Sequence, residues 1–198
     1  MQGFKVVADN TTLVYLTKLD IWFPVLDLLR IPFSQIHIPQ EVKREYRNGA
    51  DKDPHRQELL QRIEGNDRFW RDCHEFDPYI RALLDSEDGI DPGESEVFAQ
   101  FMSIGARYII SDDRRFTIAI NKRYPYITIL TTLHVLCMLE QTGFIAEWPD
   151  CMRNYARIRK TTAKDLRKVY VESAKLTGVK KGKKEISEKC SLKKLGVS

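Results

Sequence analysis

Cysteine is scarce in this chain, and its few copies lie far apart. Cys73, Cys137, Cys151 and Cys190 form no close pair. That spacing argues against a zinc ribbon or a disulfide framework and fits a reducing cytoplasm. Histidine is equally sparse. His37, His55, His74 and His134 share no ligand spacing, and the adjacent Cys73-His74 pair suits chelation poorly, so all four read as structural. Long apolar runs are missing too. None approaches the roughly 18 residues of a membrane span. The opening MQGFKVVADN lacks a basic stretch ahead of an apolar one, so no signal peptide is visible. There is no serine-nucleophile motif and no glycine-rich phosphate loop. DPGESE, at residues 91–96, lacks the lysine and second glycine of a P-loop.

What is present is a globular composition. Of 198 residues, 42% are apolar and 30% charged. That is enough for one ordinary domain plus an appendage. The net charge of +4 hides a split. Residues 151–198 hold 15 Lys/Arg and 4 Asp/Glu, a balance of +11, whereas residues 1–150 carry a balance of −7. An acidic body suits carboxylates gathered around a metal. A basic tail suits a polyanion or an acidic partner.

Phe4 to Ala8 is a short apolar run of strand length ending at Asp9. Leu13, Leu16 and Leu19 follow at helical spacing, behind polar residues that read as an N-cap. Pro24 to Arg30 predicts a second short helix. Gln35 to Ile38 predicts a strand, and Pro39 opens a helix carrying Val42 and Tyr46. Asn48-Gly49 reads as a breaker. Helices are predicted over 54–64 and after Pro78, with a break at Gly65-Asn66. Beyond the acidic stretch SEDGIDPGESE the alternation is clearer: a helix over 94–104, a strand over 107–110, a helix over 114–122, a strand over 127–130 and a helix over 131–141. Gly143 follows as a C′ residue. Strands alternating with helices imply a mainly parallel sheet covered on both faces. The expected division is an α/β body over 1–149, with a helical insert at about 47–90, and a basic helical or flexible extension over 150–198.

The acids recur at one end of this sheet. Asp9 ends the first strand, and Asp112 and Asp113 end a later one. Glu41 and Glu45 lie a turn apart on the helix after the second strand, and Asp91 and Glu94 open another helix. Ligands bind beyond the carboxyl ends of parallel strands where strand order reverses. Singly, each acid could be a cap or a complement to a helix dipole. Together they would repel unless a cation sits among them, and hard oxygen ligands select Mg²⁺ or Mn²⁺.

Four segments in order resemble the PIN domain, the nuclease domain of VapC-type toxins and relatives. VVADNTTLVYL resembles its first strand, with the first acid at Asp9 and the following hydroxyl at Thr11. IHIPQEVKREY resembles its strand, Pro, Val and then Glu, which points to Glu45. DPGESEVFAQFMSIGARYIISDD resembles the segment where Gly-Glu opens a helix and a strand ends in paired acids, giving Glu94 and Asp113, with Asp112 beside it. ITILTTLHVLCMLEQTGFI resembles the last strand and helix. The chain departs from the pattern at Arg115, where many members carry a further acid, and before Thr131, where a Gly is usual.

The resemblance covers about residues 4–147. It implies a PIN-like three-layer α/β fold and a Mg²⁺- or Mn²⁺-dependent endoribonuclease. Asp9, Glu45, Glu94 and Asp113 would be catalytic, with Thr11 orienting a water or phosphate oxygen, and Asp9, Glu94, Asp113 and Asp112 would hold metal. It also implies the toxin of a toxin–antitoxin pair with an acidic antitoxin or other protein partner, and a homodimer as the family often forms. Arg44, Arg47, Arg114, Arg115, Lys122 and Arg123 are candidates to grip phosphates. In the tail, Arg153, Arg157, Arg159, Lys160, Lys164, Arg167 and Lys168 place positive charge at helical spacings for RNA backbone. The rivals are a non-catalytic PIN domain that binds RNA or protein, and a PIN-like nuclease acting on DNA. Trp22, Trp70 and Trp148 read as packing residues, with Trp70 the one to test for stacking.

Overall fold

Four short strands run parallel in the order β2-β1-β3-β4, in a computed structural model that describes residues 4–21, 33–64, 77–85 and 90–197. They are β1 (Phe4–Ala8), β2 (Phe33–His37), β3 (Tyr108–Ile110) and β4 (Ile129–Leu130). Val6 pairs with Ile36 on one side and Tyr108 on the other, and Ile110 pairs with Leu130. The order reverses between β1 and β3, so the crevice for a ligand lies beyond their carboxyl ends. Val6, Val7 and Ala8 are all buried. A strand covered on both faces reads as a continuous apolar run, which is why β1 falls where the sequence places it.

The helices cover the sheet and set its acidic end. In α1 (Asn10–Lys18) Asp9 is the N-cap, and its carboxylate accepts from the Thr12 N–H at 2.9 Å. In α2 (Gln40–Ala50) Val42, Tyr46 and Ala50 form the buried stripe. Pro39 gives that helix no side-chain cap. Glu96, reaching over from α5 (Pro92–Ser103), accepts the Gln40 and Glu41 N–H groups at 3.0 and 3.1 Å instead. A borrowed carboxylate thus fixes the start of α2, and with it the side chain of Glu45. Between them lie α3 (Pro54–Ile63) and α4 (Pro78–Asp85). After β3 come α6 (Arg114–Arg123) and α7 (Thr132–Gln141), the latter buried along its whole length.

Two expectations need correction. Asn48-Gly49 does not end α2, which runs on to Ala50. The Arg56 guanidinium lies across Gly49, in the space a Cβ there would take. The second concerns the extension: of the helical and flexible readings only the helical one applies, and the extension packs on the body. It forms α8 (Trp148–Ile158), α9 (Ala163–Thr177), α10 (Lys183–Lys189) and α11 (Leu192–Leu195). Trp148, Met152, Tyr155, Leu166, Tyr170, Cys190 and Leu195 join the same buried cluster as β1 and α7. Gln141 Nε2 donates to the Tyr170 carbonyl at 2.7 Å, and the Tyr170 hydroxyl donates to Glu140. Lys189 pairs with Glu140 at 2.6 Å, and Trp148 Nε1 donates to the Lys189 carbonyl at 3.0 Å. The division at 149–150 is therefore no break in the packing. The predicted helix at 24–30, the break at 65–66, Trp22 and Trp70 lie outside the described residues. Among those described, no helix is long and apolar enough to cross a membrane.

Candidate active site

Asp9, Thr11, Glu45, Glu94 and Asp113 line one small cavity at the strand-order reversal, together with Asn10, Val42, Asp91 and Gly93; its volume is about 100 Å³. The local sequence explains how each arrives. Asp9 leaves β1 and caps α1, and its own N–H donates to the Ile110 carbonyl at 3.0 Å, which locks the ends of β1 and β3 together. Thr11 Oγ1 donates to both Asp9 carboxylate oxygens at 2.8 Å. Asp91 and Glu94 form a capping box: the Glu94 N–H donates to Asp91 at 2.8 Å, and Glu94 Oε2 accepts the Asp91 N–H at 3.0 Å. Asp113 caps α6, accepting the Arg115 and Phe116 N–H groups at 2.6 and 3.0 Å. Three of these acids thus cap helices and also face a shared cavity. Capping a helix and lining the cavity do not exclude each other here.

Gly93 makes the arrangement fit. A Cβ there would lie 2.6 Å from Glu45 Oε1 and 3.3 Å from Asp91 Oδ1. Only a residue without a side chain lets the Glu45 carboxylate approach the start of α5 so closely. Ser111 joins two acids. Its hydroxyl donates to Asp9 and accepts the Asp113 N–H at 3.0 Å.

The electrostatics follow from crowding like charges out of water. Burial pushes the Asp9 carboxyl up to about 6, against hydrogen bonds from Ser111, Thr12 and Thr11. Burial, with the charges of Asp91 and Glu41, lifts Glu45 to about 7, against a hydrogen bond from Asn10. Burial raises Glu94 to about 8, with the charges of Asp91, Asp113 and Asp9 adding to it. Perturbed carboxylates clustered in a cleft are characteristic of functional sites. Among the described residues, the buried Asn10 Oδ1 in this cavity finds no donor. All the side-chain donors are oxygens, which suits a hard divalent cation in kind and in charge. Among the described residues no three acids, histidines or cysteines stand together as a ready-made metal-ligand group.

A family model described as a PIN domain (DUF3368) matches residues 5–172. The chain belongs to the PIN domain family. No curated protein and no solved structure matches it. The PIN fold is a nuclease-type fold, and the four-stranded parallel sheet flanked by helices is its three-layer architecture. The matched PIN segment runs through α8 and into α9, well past residue 147, where the motif resemblance stops.

Asp112 is not brought to the cavity. Successive residues of an extended segment point to opposite sides. Asp112 turns away from Asp113, accepts from Thr132 and pairs with Arg159 at 3.0 Å. None of the thirteen basic residues singled out for nucleic acid lines the cavity. Arg114 and Arg115 are exposed directly after Asp113. Arg44 pairs with Glu41, Arg47 with Glu64 at 2.7 Å, and Arg153 with Asp150. Arg157, Lys160 and Lys164 are exposed. Sequence reasoning missed Asn10, Gly93 and Ser111 as members of this PIN site. Each stands beside a residue already singled out, which was the only signal available.

Proposed function

We propose that this PIN domain is a metal-dependent endoribonuclease that hydrolyses phosphodiester bonds of single-stranded or structured RNA. The observation that carries the reading is the convergence of Asp9, Glu45, Asp91, Glu94 and Asp113 on one cavity of about 100 Å³. The crowded negative charge there helps to raise Glu45 and Glu94, and a cation offsets that penalty. Asp9, Glu94 and Asp113 are the residues to hold Mg²⁺ or Mn²⁺. Bound there, such an ion supplies charge stabilisation at the phosphate and a more acidic water.

The chain's own groups do the rest. Thr11 and Ser111 fix the Asp9 carboxylate, so its remaining lone pairs keep one direction. Glu45, half-buried and raised to about 7, is poised to take a proton from an attacking water near neutral pH. Arg114 and Arg115, exposed directly after Asp113 in the chain, are candidates to contact phosphates without reading bases. Similarity of four ordered motifs to VapC-type toxins supports a toxin role with an acidic antitoxin. A matched pair of RNA and DNA oligonucleotides, incubated with Mn²⁺, Mg²⁺ or EDTA, tests the reading. Cutting of RNA in either metal and not in EDTA supports it. Cutting of DNA alone would replace it with the DNA-nuclease rival, and cutting of neither in any metal favours a binding role.

A further inference from the structure

Arg159 is a feature that the nuclease reading leaves unused. It lies between α8 and α9, 47 residues beyond Asp112 in the chain, yet its Nη1 donates to the Asp112 carbonyl at 2.6 Å and to Asp112 Oδ1 at 3.0 Å. Asp112 Oδ2 accepts the Thr132 N–H at 3.0 Å and the Thr132 hydroxyl. The Asp112 side chain is fully buried, whereas that of Arg159 is about one-third exposed. The Thr132 N–H is one of the orphan donors at the start of α7, a natural seat for a carboxylate. One buried side chain therefore ties together the end of β3, the start of α7 and the α8–α9 junction.

The residues on either side of Asp112 are the ones that build the cavity. Ser111 donates to Asp9 and accepts the Asp113 N–H. Asp113 lines the cavity while capping α6. A three-residue turn pinned at its centre, by both backbone and side chain, leaves its two ends little freedom. Without Arg159 the Asp112 carboxylate would be a buried charge with hydroxyl and amide partners alone, an arrangement that favours movement toward water.

We propose that Arg159, acting through Asp112, is a positioning residue that holds Ser111 and Asp113 in the alignment the acidic cavity needs, so that the C-terminal segment is a working part of the site. This rests on the nuclease reading and deepens it. It also gives the 148–177 helices a role beyond covering α7.

The test uses the full chain with Arg159→Ala and Arg159→Lys, read by amide hydrogen exchange and, separately, by RNA cleavage. In Arg159→Ala the amides of Asp113, Arg115 and Phe116 are expected to exchange about tenfold faster or more, with β1 unchanged. kcat is expected to fall about tenfold or more, with KM within about twofold. Added guanidinium restores part of the lost kcat, and Arg159→Lys lies between the two. Exchange at those amides within about twofold of the unsubstituted chain overturns the proposal, as does faster exchange spread evenly over the chain. If the alanine variant does not fold, the lysine variant carries the same comparison. Failure of the unsubstituted chain to cut RNA counts against the nuclease reading, and the exchange data then decide the positioning role without it.

Discussion

Replacing Asp9 by asparagine is expected to stabilise the metal-free protein at alkaline pH while removing its response to divalent metal. Asp9 is 4% exposed, and its carboxyl is raised from 3.8 to about 6. The folded state therefore holds that proton more tightly than the unfolded chain does. Stability from this group is present below pH 3.8 and is lost as pH rises through about 6. At 1.36 kcal/mol per pH unit, that difference is about 3 kcal/mol. Asparagine removes the charge and remains a good N-cap. Its weaker acceptor oxygen loses part of the bonds from Thr11 and Ser111, on the order of 1 kcal/mol. The expected net gain at pH 8 is about 1–2 kcal/mol, or roughly 3–6 °C in Tm for a chain of this size. At pH 5 the gain is expected to shrink to about 0.5 kcal/mol, because only about half of the 3 kcal/mol has accrued between pH 3.8 and pH 5. The assay is thermal unfolding of both proteins at pH 5 and pH 8 in EDTA, then at pH 8 with Mn²⁺. Removing the Asp9 charge also relieves Glu45 and Glu94, whose carboxyls it helps to raise, so their relief adds to the gain at pH 8. A variant that melts below the unsubstituted chain at pH 8 in EDTA refutes the reasoning. So does an equal rise in Tm with Mn²⁺ for both.

Three further outcomes follow from the geometry. Gly93→Ala puts a methyl where Glu45 Oε1 now lies 2.6 Å away; the carboxylate moves aside, the fold survives, and cleavage falls by about tenfold or more at nearly unchanged Tm. Ser111→Ala removes a bond that holds the Asp9 carboxyl down, so the acidic limb of the pH–rate profile moves to higher pH, with a stability loss of about 1–2 kcal/mol. A limb that stays in place or moves to lower pH counts against that role. Truncation before Trp148 strips the cover from α7, and circular dichroism is expected to show a largely unfolded or aggregated product rather than a free-standing PIN domain.

Much of the framework was legible because its signals are local. β1 is apolar over Val6–Ala8, where both faces are covered, and the capping acids announce helix starts. Asp9, Glu45, Glu94 and Asp113 could be gathered because ordered motifs and a parallel sheet send them to the same end. That Asp112, also a candidate metal ligand, would face away from the cavity was not legible. Adjacent residues of the same type differ only in the side they face, and that is fixed by Thr132 and Arg159 far along the chain. Gly49 resembles a breaker, yet α2 runs through it, and the Arg56 guanidinium lies across it. The tail was legible only as helical or flexible, because lysines outnumber the apolar residues that pack it. Trp148, Met152 and Tyr155 keep helical spacing on α8, as do Leu166, Tyr170, Ser173 and Thr177 on α9, and each stripe is buried.

The central claim is that the acidic cavity cuts RNA with the help of a divalent cation. The most direct measurement is cleavage of a labelled single-stranded RNA in Mn²⁺ by the unsubstituted chain and Asp9→Asn side by side. The account predicts cutting by the first, abolished by EDTA, and none by the second, although the second is folded. Equal cutting by both proteins would contradict it.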